Sequence, residues 1–218
     1  MGMATPGQLV RTMATVLGIP EPTVIQYDRH LAEAGLRRIR GRGTSAAAVS
    51  AEDAANLLIA ILGSPVVGAS IRTAAETSRV YGSLVAYGRW KDVSRFADYG
   101  LTTLSRIPKS HTFKDALVAL IEGASRGESP YITERNDVLM ELDYLFGVDV
   151  QTPNMHAEII FGSSPNETRR YVRLVYNSLE HDIKKKSRRE QDLNQERHVS
   201  FRTIRTLGTL IAIPRNQA

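Results

Sequence analysis

The sequence predicts an α+β chain, mainly α, on three observations. Apolar residues recur every three to four positions from Leu9 to Phe146, the period of one helix face. Beyond Gly147 the period shortens to two, with Glu158-Ile159-Ile160-Phe161 and Tyr171-Val172-Arg173-Leu174-Val175-Tyr176 rich in β-formers. The first forty residues hold two short striped segments hinged at a glycine. Breaks at Gly63-Ser64-Pro65 and at Gly147 divide the chain into expected parts 1–64, 65–147 and 148–218.

Thr5-Pro6-Gly7-Gln8 has the order of a capping box with proline in the first turn, followed by Leu9, Val10, Met13 and Leu17 on one face. A helix of that length is marginal alone in water, so it needs a partner to pack on. Gly18 can take the positive φ of a tight turn. The second helix is expected from Pro22 to Ala34, ending at Gly35, because Pro22 suits a first helical turn and glycine suits the end. Small Ala14 and β-branched Val24 fall where two such helices approach closest, the residue order of a helix-turn-helix. Val24, Tyr27 or Asp28, Leu31 and Ala34 form the expected inner side. Thr23, Gln26, Arg29, His30 and Glu33 then point outward, with Ile25 at the border.

The run Leu-Gly-Ile-Pro, Thr-Val, Leu-Ala-Glu-Ala-Gly-Leu resembles helix-turn-helix and winged-helix DNA-binding proteins over the first sixty-odd residues, and is similar to small regulators carried by bacteria and their phages. Tyr27 departs from the pattern, standing where such proteins more often carry an aliphatic residue. The resemblance implies duplex binding by the second helix, with the following basic hairpin or loop as a wing, and so a winged helix-turn-helix ahead of a helical body. A recognition helix reads bases with its first two turns, where Gln26 suits adenine, Arg29 guanine and Ile25 a thymine methyl. Arg37, Arg38, Arg40 and Arg42, interleaved with Gly41 and Gly43, are expected on phosphate or in the minor groove. The alternative is a solvated connector. Gly41-Arg42-Gly43 lacks the third glycine and the Gly-Lys-Ser/Thr ending of nucleotide loops.

Ser50-Ala51-Glu52-Asp53 caps an expected third helix with a core stripe of Ala54, Leu57, Leu58, Ile61 and Leu62, which would close the first part or serve dimerisation. Further helices are expected over Ser70 to Val85, Trp90 to Leu104, from Thr112 with Asp115 as cap, and from Thr133 through Val138, Leu139, Leu142, Leu145 and Phe146. Trp90, Phe96, Phe113 and Phe146 lie on the apolar stripes and read as core anchors, not as a base-stacking platform. The two β-rich runs make an antiparallel hairpin or small sheet, with Arg169, Arg170 and Arg173 on its second strand. Glu180 to Arg197, carrying Lys184-Lys185-Lys186, is expected as an exposed helix or mobile basic segment. Ser200 starts a last amphipathic helix with Phe201, Ile204, Leu207, Leu210 and Ile211.

Of the 218 residues, 42% are apolar, enough for one sizeable core or two small ones. Zero cysteines exclude disulfides, thiol nucleophiles and zinc fingers. No eighteen-residue apolar run or export leader is present, so a cytoplasmic protein without membrane contact is expected. The net charge of +5 is uneven: residues 1–50 carry six arginines against three acids, and residues 168–218 carry twelve basic residues against five. Basic ends suit phosphate contact, by Arg169, Arg170, Lys184 and Lys185 in the second case, although solvated surfaces would read the same.

No catalysis, cofactor or metal is expected. Five histidines are scattered, and His156-Ala157-Glu158 has the deaminase spacing without the cysteine pair that signature demands. Asp149 and Glu158 suggest Mg²⁺-nuclease carboxylates, but Ile159-Ile160 stand where that pattern wants lysine. The expected function is a sequence-specific double-stranded DNA-binding regulator reading an operator, as a homo-oligomer with a dimer favoured. The alternatives are an oligomeric DNA-binding assembly protein of a phage or mobile element, resembling a small terminase subunit, and a module using the same helices for protein contacts.

Overall fold

The computed structural model describes residues 4–38, 48–64, 71–88, 92–133, 139–141, 145–152, 155–162, 171–177 and 195–212. Within them the chain is α+β, with α-helices packed on a five-stranded antiparallel sheet.

Helix α1 (Pro6–Leu17) starts where the expected capping box closes: Thr5 Oγ1 accepts from the Gln8 N–H at 3.3 Å, and Gln8 Oε1 accepts from the Thr5 N–H at 2.8 Å. Gly18 ends it in the left-handed region at φ 66°, its N–H returning to the Ala14 carbonyl. Helix α2 (Glu21–Glu33) begins one residue earlier than expected, because the Pro20 carbonyl already accepts from Thr23 and Val24. Leu9, Val10, Met13 and Ala14 of α1 are buried, as are Val24, Asp28, Leu31 and Ala32 of α2.

Helix α3 (Ala51–Gly63), capped by Ser50 and Asp53, has twelve buried residues, far more than one stripe. It touches α2, α4 (Ile71–Gly82), α6 (Phe113–Ser125) and α7 (Phe201–Ile211), and it also meets the sheet. A helix apolar all round belongs inside a core. One continuous apolar cluster runs from Leu9 through Leu57, Leu58 and Ile59 to Leu207, crossing both expected breaks. Close approach is purchased with glycine: a Cβ on Gly63 would lie 2.6 Å from Thr77 Cγ2, and one on Gly208 of α7 would lie 2.6 Å from Ala124 Cβ of α6.

The sheet order is β1 (Val85–Ala86), β6 (Tyr171–Asn177), β5 (His156–Gly162), β4 (Phe146–Thr152) and β7 (Gln195–Ser200), every pair antiparallel. Alternation sends Phe146, Val148, Val150, Ala157, Ile159, Phe161, Leu174 and Tyr176 into the core. Phe146 meets Phe201 of α7 edge to face, with 5.2 Å between ring centroids. Arg197 of β7 reaches α3 and donates to the Ile61 carbonyl near that helix's end.

Three expectations are corrected. The helix expected from Thr133 to Phe146 is instead strand over β2 (Tyr131–Thr133), β3 (Leu139–Glu141) and the start of β4. Short apolar runs fit either period, and here the cross-strand partner decides: Phe146 pairs with Phe161. The single helix expected over Trp90 to Leu104 is a 3-10 helix, Ser94–Tyr99, followed by α5 (Thr102–Ser105). Gly100 separates them at φ 82°, where a Cβ would strike the Ser129 carbonyl and the Tyr131 ring. The end of the expected basic segment, Gln195 to Arg197, is strand, with Arg197 opposite Val150. Phe96, Phe113 and Phe146 are fully buried, in keeping with core anchors; Trp90 lies outside the described residues.

Candidate nucleic-acid interface

The outer side of α2 follows from its inner side. Val24 and Leu31 are fully buried and Asp28 nearly so, which turns Thr23, Ile25, Gln26 and Arg29 outward; all four are exposed, Ile25 at 49%. Arg29 Nε lies 2.9 Å from Glu33 Oε1, one helical turn away, with the arginine side chain 75% exposed. Such an i,i+4 pair is worth about 0.3–0.5 kcal/mol, so Arg29 gives it up easily to another anion. His30 is half-buried, with Nδ1 3.4 Å from Glu33 Oε2.

Arg37 has a different job from the expected phosphate contact. Its Nε lies 2.7 Å from Asp28 Oδ1, with both side chains largely buried. Burial raises the Asp28 pKa, Arg37 opposes that shift, and Asp53 adds to it. The pair therefore ties the inner face of α2 to the chain that leaves it. That chain is held twice more: Asp53 Oδ1 accepts from the Arg38 N–H at 3.1 Å, and Asn56 Nδ2 donates to the Leu36 carbonyl at 2.7 Å. Arg38 is thus fixed at its backbone while the residue stays exposed. Arg79 of α4, which the sequence reading did not single out, donates from Nη2 to the Ala34 carbonyl at 2.9 Å. A cation at a helix C-terminus is favourable, but a contact spanning 45 residues leaves no local signal. Arg40, Arg42, Arg169, Arg170, Lys184 and Lys185 lie outside the described residues.

A second polar group occupies the outer sheet face. Asp149 and Glu158, the carboxylates the sequence brought together for Mg²⁺, are direct partners across β4 and β5. Each is engaged: His198 Nδ1 stands 2.7 Å from Asp149 Oδ1, and Glu158 Oε1 takes His156 Nε2 at 2.6 Å together with Arg173. Burial raises the Asp149 pKa more than His198 lowers it. At Glu158 burial is outweighed by hydrogen bonds from His156 and Arg173, so its pKa is lowered. Burial depresses His156, but bonds to Glu158 and Asn177 leave its pKa raised. The arrangement is a set of closed polar pairs, with the Arg173 cation against Glu158. Among the described residues no three acids or histidines are grouped to hold a metal ion. None of the described helices is long and apolar enough to cross a membrane.

No protein-family model, curated protein or solved structure matches this chain.

Proposed function

We propose that this chain binds double-stranded DNA, with α1 and α2 as a helix-turn-helix and α2 as the reading helix. More particularly, it acts as a sequence-specific regulator on an operator, as a homo-oligomer in the cytoplasm. The observation that carries this reading is the pairing of an exposed outer face in the first three turns of α2 (Thr23, Gln26 and Arg29 able to hydrogen-bond, Ile25 apolar) with a firmly buried inner face. Base readout needs both, because side chains discriminate bases only when their backbone is held in register. The clamps on the chain after α2 support the same reading: Asp28–Arg37, Arg38–Asp53 and Leu36–Asn56 fix the approach to the arginine run. Arg38, Arg40 and Arg42 then supply phosphate or minor-groove contacts in a winged arrangement.

A gel-shift series against random genomic fragments tests the proposal. Sequence-specific proteins prefer their sites over bulk DNA by roughly 10³-fold or more at physiological salt. A recovered fragment bound with that preference, and losing it in Gln26→Ala, is the expected result. Uniform weak binding of all fragments, or none, ends the proposal.

A further inference from the structure

Beside the carboxyl end of α2 a cleft of about 360 Å³ opens between α3, α4, α6 and the chain leaving α2. Leu36, Asn56, Ser78, Arg79, Lys114 and Asp115 are among the residues lining it. The volume falls in the range of small-molecule sites, at its lower end.

Two wall residues are the ones that hold the chain leaving α2. Arg79 bonds the Ala34 carbonyl and Asn56 bonds the Leu36 carbonyl, while Ser78 Oγ donates to the Asn56 carbonyl at 3.1 Å. Anything that enters the cleft therefore meets the fastenings of the reading helix.

The charges of the wall select the occupant. Among the described residues no carboxylate pairs with Arg79, whose guanidinium spends one donor on Ala34 and has five. Lys114 Nζ is 3.0 Å from Glu52 Oε1 in a half-exposed pair, a weak tie that exchanges readily. Asp115 is committed elsewhere: its Oδ2 accepts from both the N–H and the hydroxyl of Thr112 at 2.8 Å, so the amino end of α6 is already closed. The wall thus carries the Arg79 guanidinium, with no carboxylate partner among the described residues, and a loosely held Lys114 ammonium, against the single Asp115 carboxylate. Carboxylate and phosphate groups fit a guanidinium fork bidentately.

We propose that this cleft binds a small metabolite bearing a carboxylate or phosphate group on Arg79 and Lys114, and that occupancy draws Arg79 from the Ala34 carbonyl and loosens the end of α2. The binding half stands by itself; the regulatory half rests on the DNA-reading proposal. An anion bound at Arg79 lowers duplex affinity, and duplex lowers anion affinity by the same factor.

The test titrates the full chain with inorganic phosphate, glycerol phosphate and succinate at constant ionic strength set with chloride, following amide shifts of Leu36, Ser83 and Thr112. Saturable shifts are expected from at least one probe, weakened tenfold or more in Arg79→Gln and partly restored in Arg79→Lys. The probe that binds distinguishes phosphate from carboxylate. Because Arg79 is exposed, the variant folds, and its circular dichroism checks this. Absence of saturation with all three probes, or equal binding by Arg79→Gln, overturns the proposal. In a parallel gel shift, the bound probe reduces duplex affinity fivefold or more in the parent and not in Arg79→Gln. Probe binding with unchanged duplex affinity removes the coupling. Probe binding by a chain that binds no duplex removes the DNA reading and leaves the anion site standing.

Discussion

Arg37 Nε sits 2.7 Å from Asp28 Oδ1 with the two side chains only 15% and 12% exposed, so the first guanidinium of the arginine run after α2 faces the protein and not the solvent. Removing one member of such a pair strands the other's charge. Arg37→Met is expected to cost about 3 kcal/mol, the lower end for buried pairs because some water still reaches the site. Asp28→Leu combined with Arg37→Met costs clearly less than the two single changes added together. Urea denaturation of the four proteins measures this, and strict additivity would contradict it.

Arg29 makes the opposite case. Arg29→Ala is expected to shift stability by less than about 0.5 kcal/mol, because its only described ion pair is exposed. Its effect falls on DNA: roughly 1–3 kcal/mol of discrimination lost at one base pair. Arg38→Ala instead weakens all sequences alike and lowers the salt slope by about one unit. Binding titrations at several salt concentrations, on an operator and its single-base variants, separate the two behaviours.

The outer sheet face predicts a stability maximum in pH. The folded pKa of Glu158 is depressed, so its contribution is present above the unfolded carboxylate value and is lost as pH falls through the folded one. His111 acts in the same direction: burial lowers its pKa, and protonation in acid costs stability. The folded pKa of His156 is raised, so its contribution is complete below the unfolded histidine value and disappears as pH rises through the folded one. The raised Asp149 pKa has that same sign in the carboxylate range and partly offsets Glu158. His156→Gln should therefore flatten the fall on the alkaline side and, because the His156 bond also lowers the Glu158 pKa, shrink the Glu158 share of the acid limb while leaving that of His111. Thermal melts across pH decide it; an unchanged alkaline limb counts against the pairing.

Gly208→Ala should destabilise although alanine is the better helix former. The new Cβ would lie 2.6 Å from Ala124 Cβ and 2.7 Å from the Ser125 nitrogen. Overpacking of that kind costs about 1–3 kcal/mol, against a propensity gain of about 1 kcal/mol. At Gly7 the same change meets only Arg11 Nη1 at 3.9 Å, so the propensity gain is left and the melting temperature rises. Paired calorimetry of the two variants checks the sign of each.

The elements that could be read from sequence are those whose signal is local. The Thr5, Ser50 and Thr112 boxes marked three helix starts correctly, and Gly18 marked the turn before α2. The outward placement of Thr23, Gln26 and Arg29 followed from the buried period of Val24, Asp28 and Leu31. What failed depends on distant partners. Residues 139–141 and Phe146 satisfy a helical stripe as well as a strand, and only pairing with β2 and β5 chooses. Gln195–Ser200 has one β-branched residue, Val199, and becomes strand because β4 offers an edge. The Arg37 ion pair was hidden for a related reason: arginines in a run read as equivalent until one finds a buried acid.

The position of α7 bears on how the molecule is made. This late helix, residues 201–211, lies against α1 and α3. The first helix thus rests on a surface synthesised long after it. Contacts so far apart in the chain slow folding. During translation the amino-terminal helices must wait for their footing, and a nascent chain stalled before residue 201 would present the apolar sides of α1 and α3 to chaperones instead of α2 to a duplex.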